Sequence, residues 1–510
     1  MIETKRQQIT LADVARATGG TLEGDPSIVV ADVTHDSRQA RAGTLFAAVR
    51  GALLDAHRFV PQVAAQGAVG VVSELERPAD LNVAAWLRVE NVRRAMALAA
   101  AEVHGHPSRE LQLVGITGTN GKTTTAYLVA AVAEAAGELV AMTGTVEYVV
   151  GLERFKADRT TPEATDMQRL LRRAVTTGCR VAVMECSSQA MDFHRCDALD
   201  YAVAVFSNLT RDHLDYHLTM ENYWSAKRRL FDGRLGSVPR TSVINIDDAH
   251  GVELANEMEG KGARVVRYAL KSPAEVTARE VEVTLEGTSF QLVTPQGAAR
   301  LRSPLVGPPH IYNILATTAT GLALGYDLAT VSRAIEKSGG APGRFERVPH
   351  TAGDFAVVVD YAHTDDALLN VLRTARDVVG DGRVITVFGC GGDRDRSKRA
   401  PMGEAAASLS DIVILTSDNP RTENPEQIFR DVEAGLRSSD RPYLKIAERR
   451  EAIHRAIAEA KSGDVVLIAG KGHEDYQIID REVFHFDDKE VAREALAARA
   501  NKPSVETPKA

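Results

Sequence analysis

Apolar residues in this chain gather in short runs of strand length, and between many of the runs lie stretches with helical spacing. Runs at Ile28 to Val33 and Ala68 to Val72 precede an alanine-rich helical stretch from Val92 to Val103. The segment His104-Gly105-His106-Pro107-Ser108 then reads as a linker, because glycine and proline interrupt either pattern. Residues 1–109 are expected to form a small α/β domain.

A second unit opens with Leu111 to Ile116, a buried-type strand that runs into a glycine-rich turn and then a helix from Thr124 to Ala136. Further strand-like runs follow at Val181 to Glu185, Ala202 to Phe206, Ser242 to Ile246 and Arg264 to Tyr268. Strand and helix in alternation predict a doubly wound, mostly parallel sheet. Residues 279–303 switch to period-two alternation, with turn signals at Glu286-Gly287 and Pro295-Gln296-Gly297, and predict an antiparallel ribbon beside that sheet. A break at Ser338 to Gly343 closes this central domain, residues 110–341. Over 342–510 the alternation restarts, with strands at Phe355 to Val359, Val384 to Phe388, Ile412 to Thr416 and Val465 to Ala469. The expectation is a third, Rossmann-like α/β domain ending in a disordered tail, NKPSVETPKA.

Composition narrows the function. A chain of 510 residues exceeds one hydrophobic core, and 44% hydrophobic with 25% charged residues is ordinary for a soluble protein. A net charge of -8 argues against a general nucleic-acid binder. No apolar run approaches the roughly 18 residues of a spanning helix, and the N-terminus lacks the apolar core of a signal peptide. Cys179, Cys186, Cys196 and Cys390 show no metal spacing and are expected as reduced thiols in a cytoplasm.

The run Gly115-Ile116-Thr117-Gly118-Thr119-Asn120-Gly121-Lys122-Thr123-Thr124 lies between a predicted strand and a predicted helix. Glycines let main-chain N–H groups approach a phosphate, and the helix N-terminus adds a favourable dipole. Lys122 is placed to reach the β- and γ-phosphates and Thr123 to hold Mg²⁺. Ile116 stands where the longer form of such a loop has glycine, so the run fits G-x-x-G-K-T. The loop predicts nucleotide binding and selects no reaction.

Further motifs follow in order: ECSS at Glu185 to Ser188, NLTRDHLDYH at Asn208 to His217, then Lys227, GRFE at Gly343 to Glu346, DYAHT at Asp360 to Thr364, GCGGDRD at Gly389 to Asp395, DNPR at Asp418 to Arg421 and GKGHE at Gly470 to Glu474. With the loop, they make the chain resemble the Mur ligases of peptidoglycan precursor synthesis over nearly its whole length. The resemblance implies an ATP-dependent amide ligase acting through an acyl phosphate and a tetrahedral intermediate. It implies UDP-N-acetylmuramoyl-L-alanyl-D-glutamate as the carboxylate substrate and meso-diaminopimelate as the amine.

Roles follow residue by residue from the resemblance. Gly118, Thr119, Asn120, Gly121, Lys122, Thr123, Thr124, Asn313, Arg344 and Asp360 are expected at ATP, with Asn313 facing adenine and Asp360 the ribose. Glu185 and His213 resemble a second-metal site; read alone, Glu185 is equally a capping or surface acid and His213 a core or surface histidine. Lys227 is either one of three solvated cations or, by resemblance, a lysine that takes up CO₂ to become a carbamate, an anionic oxygen ligand suited to Mg²⁺. Lys122, Lys227, Glu185 and His213 form the expected catalytic set.

Arg421 offers a planar fork for the distal carboxylate of diaminopimelate, which lysine lacks. Arg394, Asp418, Asn419, Pro420, Gly470 and Glu474 complete the implied amine site, with Glu474 accepting the distal amine. Ser37, Thr160, Thr161, Ser187 and Arg195 are expected at the nucleotide-sugar peptide, and residues 52 to 54 at its diphosphate end. Three positions depart from the family's usual residues. Phe193 replaces a frequent glutamine and Arg159 a frequent asparagine, and neither receives a role; Asp365 or Asp366 replaces a proline and is read as a loop variation. The expected partners are small molecules alone, with no nucleic acid, no membrane insertion and a monomeric state. A folylpolyglutamate synthetase-like ligase should lack DNPR and the Asp36-Ser37-Arg38 segment, and a non-ligating nucleotide switch leaves the third domain's motifs without use.

Overall fold

The computed structural model describes residues 8–51, 54–79, 81–437, 439 and 441–500. The expected tail, the first seven residues, and Ala52 and Leu53 of the expected diphosphate loop lie outside the described residues.

The central sheet has eight strands. Six are parallel, in the order Arg264–Tyr268, Thr241–Asn245, Val203–Phe206, Gln112–Thr117, Val181–Glu185 and Val140–Thr143. They are Val-, Ile- and Ala-rich because both faces are covered. Ile116, Leu128, Ile311 and Ile314 fill one side, and Leu113, Met184, Tyr201 and Phe206 the other. An antiparallel hairpin, Glu147–Val150 with Glu153–Lys156, extends the sheet. The hydrophobic pattern did not predict Val140–Thr143 or either hairpin strand, each of four residues and the last exposed along most of its length. The expected ribbon is a three-stranded meander, Thr277–Thr284, Gly287–Thr294 and Gly297–Ser303, turning at the expected positions.

Register puts the functional strand ends together. Glu185 pairs with Ile116, and Phe206 with Thr117, so the acid and the phosphate loop leave the same C-terminal edge. That edge is where ligands bind in open α/β sheets.

The first sheet runs Thr21–Gly24, Ala85–Arg88, Gly70–Ser73, Thr44–Ala47 and Asp32–Thr34, with only the first strand antiparallel. The run Ile28 to Val33 is largely not a strand: Val29 makes one bridge to Thr10, and regular pairing starts at Asp32. Asp32 joins this sheet to the central helix Ala164–Thr177 by accepting from Arg169 Nε at 3.0 Å, and it faces His104 Nε2 at 3.2 Å. Burial pushes the carboxyl up, but His104 and Arg169 outweigh it and hold its pKa at about 2 against an ordinary 3.8. A depressed carboxylate stabilises the fold above its unfolded pKa and loses that contribution as pH falls through the folded one. Asp32→Asn is therefore expected to cost about 2 kcal/mol at pH 7. Thermal melts should show the gap between wild type and variant closing between about pH 4 and pH 2.

The third sheet runs Glu346–Arg347, Ala356–Asp360, Val465–Ala469, Val384–Phe388, Ile412–Leu415 and Tyr443–Lys445, parallel except for the first strand. It stands against the phosphate loop through the helix Asp365–Val379. Asp366 accepts from Asn120 Nδ2 at 2.8 Å and Thr210 Oγ1 at 3.0 Å, while Asp365 pairs with Arg211 at 2.8 Å. This corrects the reading of Asp365 and Asp366 as a loop variation. Thr364 caps the helix, both acids fall in its first turn, and there they bridge two domains. No helix among the described residues is long and apolar enough to cross a membrane.

Candidate active site

The phosphate loop closes around its own lysine. Lys122 Nζ donates to the carbonyls of Gly118 and Thr119, both at 2.9 Å. Gly121 has φ 91°, left-handed backbone that favours glycine, and a Cβ there would push against Asn313 Oδ1. Asn313 is buried on the helix Pro308–Ala323 and accepts from Thr125 Oγ1 at 3.4 Å. The helix begins at Lys122, two residues earlier than the pattern predicts, so Thr123 and Thr124 lie in its first turn. A cavity of about 270 Å³ opens here, lined by residues 119–124 and by side chains of the central and third domains.

Glu185 enters this cavity from the end of its strand. Its carboxylate accepts from Thr123 Oγ1 at 3.0 Å, from the Thr145 main-chain N–H at 2.8 Å and from Thr145 Oγ1 at 3.2 Å. Thr145 is a residue the sequence reading missed. It follows the strand Val140–Thr143, which short length hid, so no signal singled it out.

Lys227 sits on the helix Met220–Arg228 and is 1% exposed, so it is not a solvated cation. Its Nζ donates to Gly118 O at 2.7 Å and lies 4.4 Å from the Tyr223 ring centre. Gly118 O thus receives both Lys122 and Lys227. Burial first, and then the charge of Lys122, push the Lys227 pKa well below the ordinary lysine value. Burial also lowers Lys122.

His213 lines the same cavity in left-handed backbone, φ 54°, with Nε2 3.4 Å from Asp212. Burial lowers its pKa, and the facing Asp212 opposes that. Among the described residues no three His, Cys, Asp or Glu side chains converge at metal-ligand spacing. The oxygen donors that do converge, Glu185 and Thr123, have the hard character that Mg²⁺ prefers.

The third domain covers the cavity. Arg344 Nη2 donates to Thr123 Oγ1 at 3.4 Å, and its guanidinium lies 4.2 Å from the Tyr361 ring centre. Asp360 lines the cavity but already accepts from the N–H groups of Phe345 at 2.6 Å and Ala362 at 2.7 Å. Burial pushes its carboxyl above the ordinary range.

Beyond Asp360 lies a second polar cluster. Lys471, fully buried, donates to Asn419 Oδ1 at 3.0 Å and to the Tyr476 carbonyl at 2.6 Å, and sits 3.3 Å from Asp418. Asn419 Nδ2 donates to Glu474 Oε2 at 3.0 Å. Burial, and then Asp418, raise the Glu474 pKa. Arg421 follows Pro420 in left-handed backbone, φ 52°, and its Nη1 donates to Gly392 O at 2.8 Å. Gly391 packs between Arg421 and Arg394, which itself is exposed. Gly470, φ 118°, donates to the Asp360 carbonyl at 3.0 Å and so ties this cluster to the cavity. Lys471 was not singled out from the sequence although it stands inside GKGHE; a lysine between two glycines gives no hint of full burial.

On the opposite side, Thr161 Oγ1 donates to the Glu185 carbonyl at 2.7 Å and Thr145 Oγ1 meets Thr160 Oγ1 at 3.1 Å. Ser187 caps the helix Ser188–Asp192, and Thr160 and Ser187 line the cavity. Arg195 reaches back to Thr161 O at 3.4 Å and pairs with Glu163 at 2.7 Å. Ser37 is buried in the first domain, after the Asp36 cap, and does not line the cavity.

A phosphate loop facing a carboxylate, one buried and one half-buried lysine, and a covering domain define an ATP-dependent transfer site. Residues 116–321 match the Mur ligase middle domain, and residues 343–472 the Mur ligase glutamate ligase domain. The chain belongs to the Mur ligase family. It is 45% identical, over 92% of its length and 95% of the relative's, to a Solibacter usitatus protein named UDP-N-acetylmuramoyl-L-alanyl-D-glutamate--2,6-diaminopimelate ligase. It is also 45% identical to a protein of the same name from Geobacillus thermodenitrificans, over 93% and 96%. A solved structure of a ligase with that name superposes with TM-score 0.70 at 34% identity, covering 97% of this chain and all of the other. Mycobacterium tuberculosis folylpolyglutamate synthase complexed with ADP shares the fold at 19% identity and TM-score 0.60, covering 74% of this chain and 91% of that one.

Proposed function

We propose that this protein joins meso-diaminopimelate to the D-glutamyl residue of UDP-N-acetylmuramoyl-L-alanyl-D-glutamate at the expense of ATP. The observation that carries the reading is the meeting of two clusters. The phosphate loop and Glu185 line one cavity, and the Asn419, Glu474 and Lys471 cluster is tied to its Asp360 wall through the Gly470 N–H.

Amide formation from a carboxylate and an amine is uphill in water. The carboxylate oxygen attacks the γ-phosphorus, ADP leaves, and an acyl phosphate forms. The amine then attacks the acyl carbon, and the tetrahedral intermediate collapses with loss of phosphate and a proton. Lys122 and Arg344 offset the repulsion between the two anions that must meet. Mg²⁺, when bound, adds charge neutralisation at the phosphates. Thr123, Glu185 and a carbamate on Lys227 are assigned to hold it, with His213 beside them. The neutral Lys227 amine attacks CO₂, forming a C–N bond and releasing one proton. Burial and Lys122 disfavour the ammonium and so supply the amine in its reactive form, and the charge of Lys122 attracts the anion that forms. Thr145 is a positioning residue for Glu185.

Asn313 and Asp360 are assigned to the adenosine end of ATP. Thr160, Thr161, Ser187, Arg195 and, at the far end, Ser37 are assigned to the nucleotide-sugar peptide. Arg421, with Arg394, reads the distal carboxylate of the amine; Asp418, Asn419, Pro420, Gly470 and Glu474 hold its amino end. The partners are small molecules and the enzyme acts as a cytoplasmic monomer, a setting that suits its four free cysteines.

The test is phosphate release measured with each substrate omitted in turn. Release is expected only when ATP, the UDP-muramoyl dipeptide and meso-diaminopimelate are all present, with the tripeptide product seen by mass. Equal release with water or L-glutamate in place of diaminopimelate would reject the assignment.

A further inference from the structure

Three arginines near the junction of the first and central domains include two, Arg93 and Arg159, that none of these steps uses. Phe193 ends the helix Ser188–Asp192, and its ring centre lies 4.9 Å from the Arg93 guanidinium and 5.6 Å from that of Arg195. Arg93 belongs to the helix Val92–His104 of the first domain, so one aromatic ring gathers cations from both domains. Tyr216 meets that ring edge-on at 5.4 Å, which fixes its tilt. Arg159 approaches the same oxygen of Glu163 that binds Arg195, at 4.0 Å against 2.7 Å. Burial first lowers the Arg195 pKa, Glu163 opposes that, and the charges of Arg159 and Arg93 add to the lowering.

Two guanidiniums share Glu163 and a third, Arg93, lies over Phe193, while Asp192 is already engaged by Arg229 at 3.4 Å and by Tyr216 at 3.4 Å. A surplus of positive charge here is a place for an anion. Its location selects which one. Arg195 reaches Thr161, and Thr161 holds the main chain of Glu185, so the cluster borders the end of the cavity where the reacting carboxylate must lie. A glutamyl residue linked through its nitrogen has two carboxyl groups. One becomes the acyl phosphate and the other stays an anion.

We propose that Arg93, held on Phe193, and Arg159, beside Glu163, bind the glutamyl carboxylate that does not react and so make a free second acid a requirement of this enzyme. This rests on the nucleotide-sugar dipeptide being the substrate. Phe193 is a positioning residue: it orders Arg93 and Arg195 without itself offering a hydrogen bond.

The experiment compares the dipeptide substrate with an analogue whose non-reacting carboxylate is a primary amide. Initial rates are measured for the wild type, Arg93→Ala, Arg159→Asn, Phe193→Tyr and Phe193→Leu, with thermal melts to confirm folding. The wild-type KM should be at least about thirtyfold higher for the amide, the size expected for losing one charge-assisted pair. Arg93→Ala and Arg159→Asn should each raise the KM for the acid about tenfold and shrink the acid-to-amide ratio to a few-fold, while the KM for ATP stays within about twofold. Phe193→Tyr should retain the ratio and Phe193→Leu lose most of it. Equal wild-type KM values for acid and amide would overturn the proposal, as would an unchanged ratio in both arginine variants. A wild type that turns over neither dipeptide nor amide rejects the reaction assignment itself.

Discussion

Lys227→Ala is expected to lower turnover by about a thousandfold, a loss of roughly 4 kcal/mol of transition-state stabilisation. The side chain is buried at the phosphate loop, where it shares the Gly118 carbonyl with Lys122. Two ammonium groups there would repel each other and any Mg²⁺ between them. A carbamate reverses the sign at one of them and supplies an oxygen ligand. Removing the lysine leaves a gap lined by Tyr223 and the loop, into which a small carboxylate fits. Formate or acetate should restore activity to the alanine variant by tenfold or more, and should not stimulate the wild type. Because the change is buried, ADP affinity and the melting temperature are measured alongside. Full activity in Lys227→Ala, with or without added carboxylate, would remove the carbamate from the mechanism.

Arg421→Ala is expected to collapse the preference for meso-diaminopimelate over lysine. Among the described residues, only Nη1 of this guanidinium is engaged by side-chain hydrogen bonds, to Gly392 O at 2.8 Å and Asn419 O at 3.5 Å. Its main chain is fixed by donation to Ile478 O at 3.1 Å and acceptance from Asp480 N at 2.8 Å. The fork is thus pre-oriented, with donors left for a carboxylate. Two charge-assisted bonds of about 1.5–3 kcal/mol each correspond to roughly a hundred- to ten-thousandfold in kcat/KM. The variant should lose that factor for diaminopimelate and change little for lysine. Arg421→Lys should recover only a small part, since an ammonium cannot make the planar pair. Retention of the wild-type ratio in Arg421→Ala would move specificity elsewhere, with Arg394 next in line.

Much of this was legible from the chain. The long parallel strands were, because runs such as Leu111 to Ile116 and Val465 to Ala469 are apolar on both faces and bounded by turns. The short ones were not. Val140–Thr143 and the following hairpin have four residues per strand, too few for a period to show, and Thr145 was lost with them. Motif order located the phosphate loop, Glu185 and Lys227, but only packing reveals that Lys227 is buried against the loop. Asp365 and Asp366 illustrate the limit best. Their contacts are with Arg211, Asn120 and Thr210, residues distant in sequence, and nothing local marks them as a bridge between domains.

The central claim is that the phosphate loop serves to activate a carboxylate as an acyl phosphate. The most direct measurement starts from UDP-muramoyl dipeptide carrying ¹⁸O in the reacting glutamyl carboxyl group. After turnover with ATP and meso-diaminopimelate, inorganic phosphate is analysed by mass. Phosphate carrying one ¹⁸O per product formed, together with ADP, is the predicted result. Phosphate free of label, or AMP as the nucleotide product, would contradict the account.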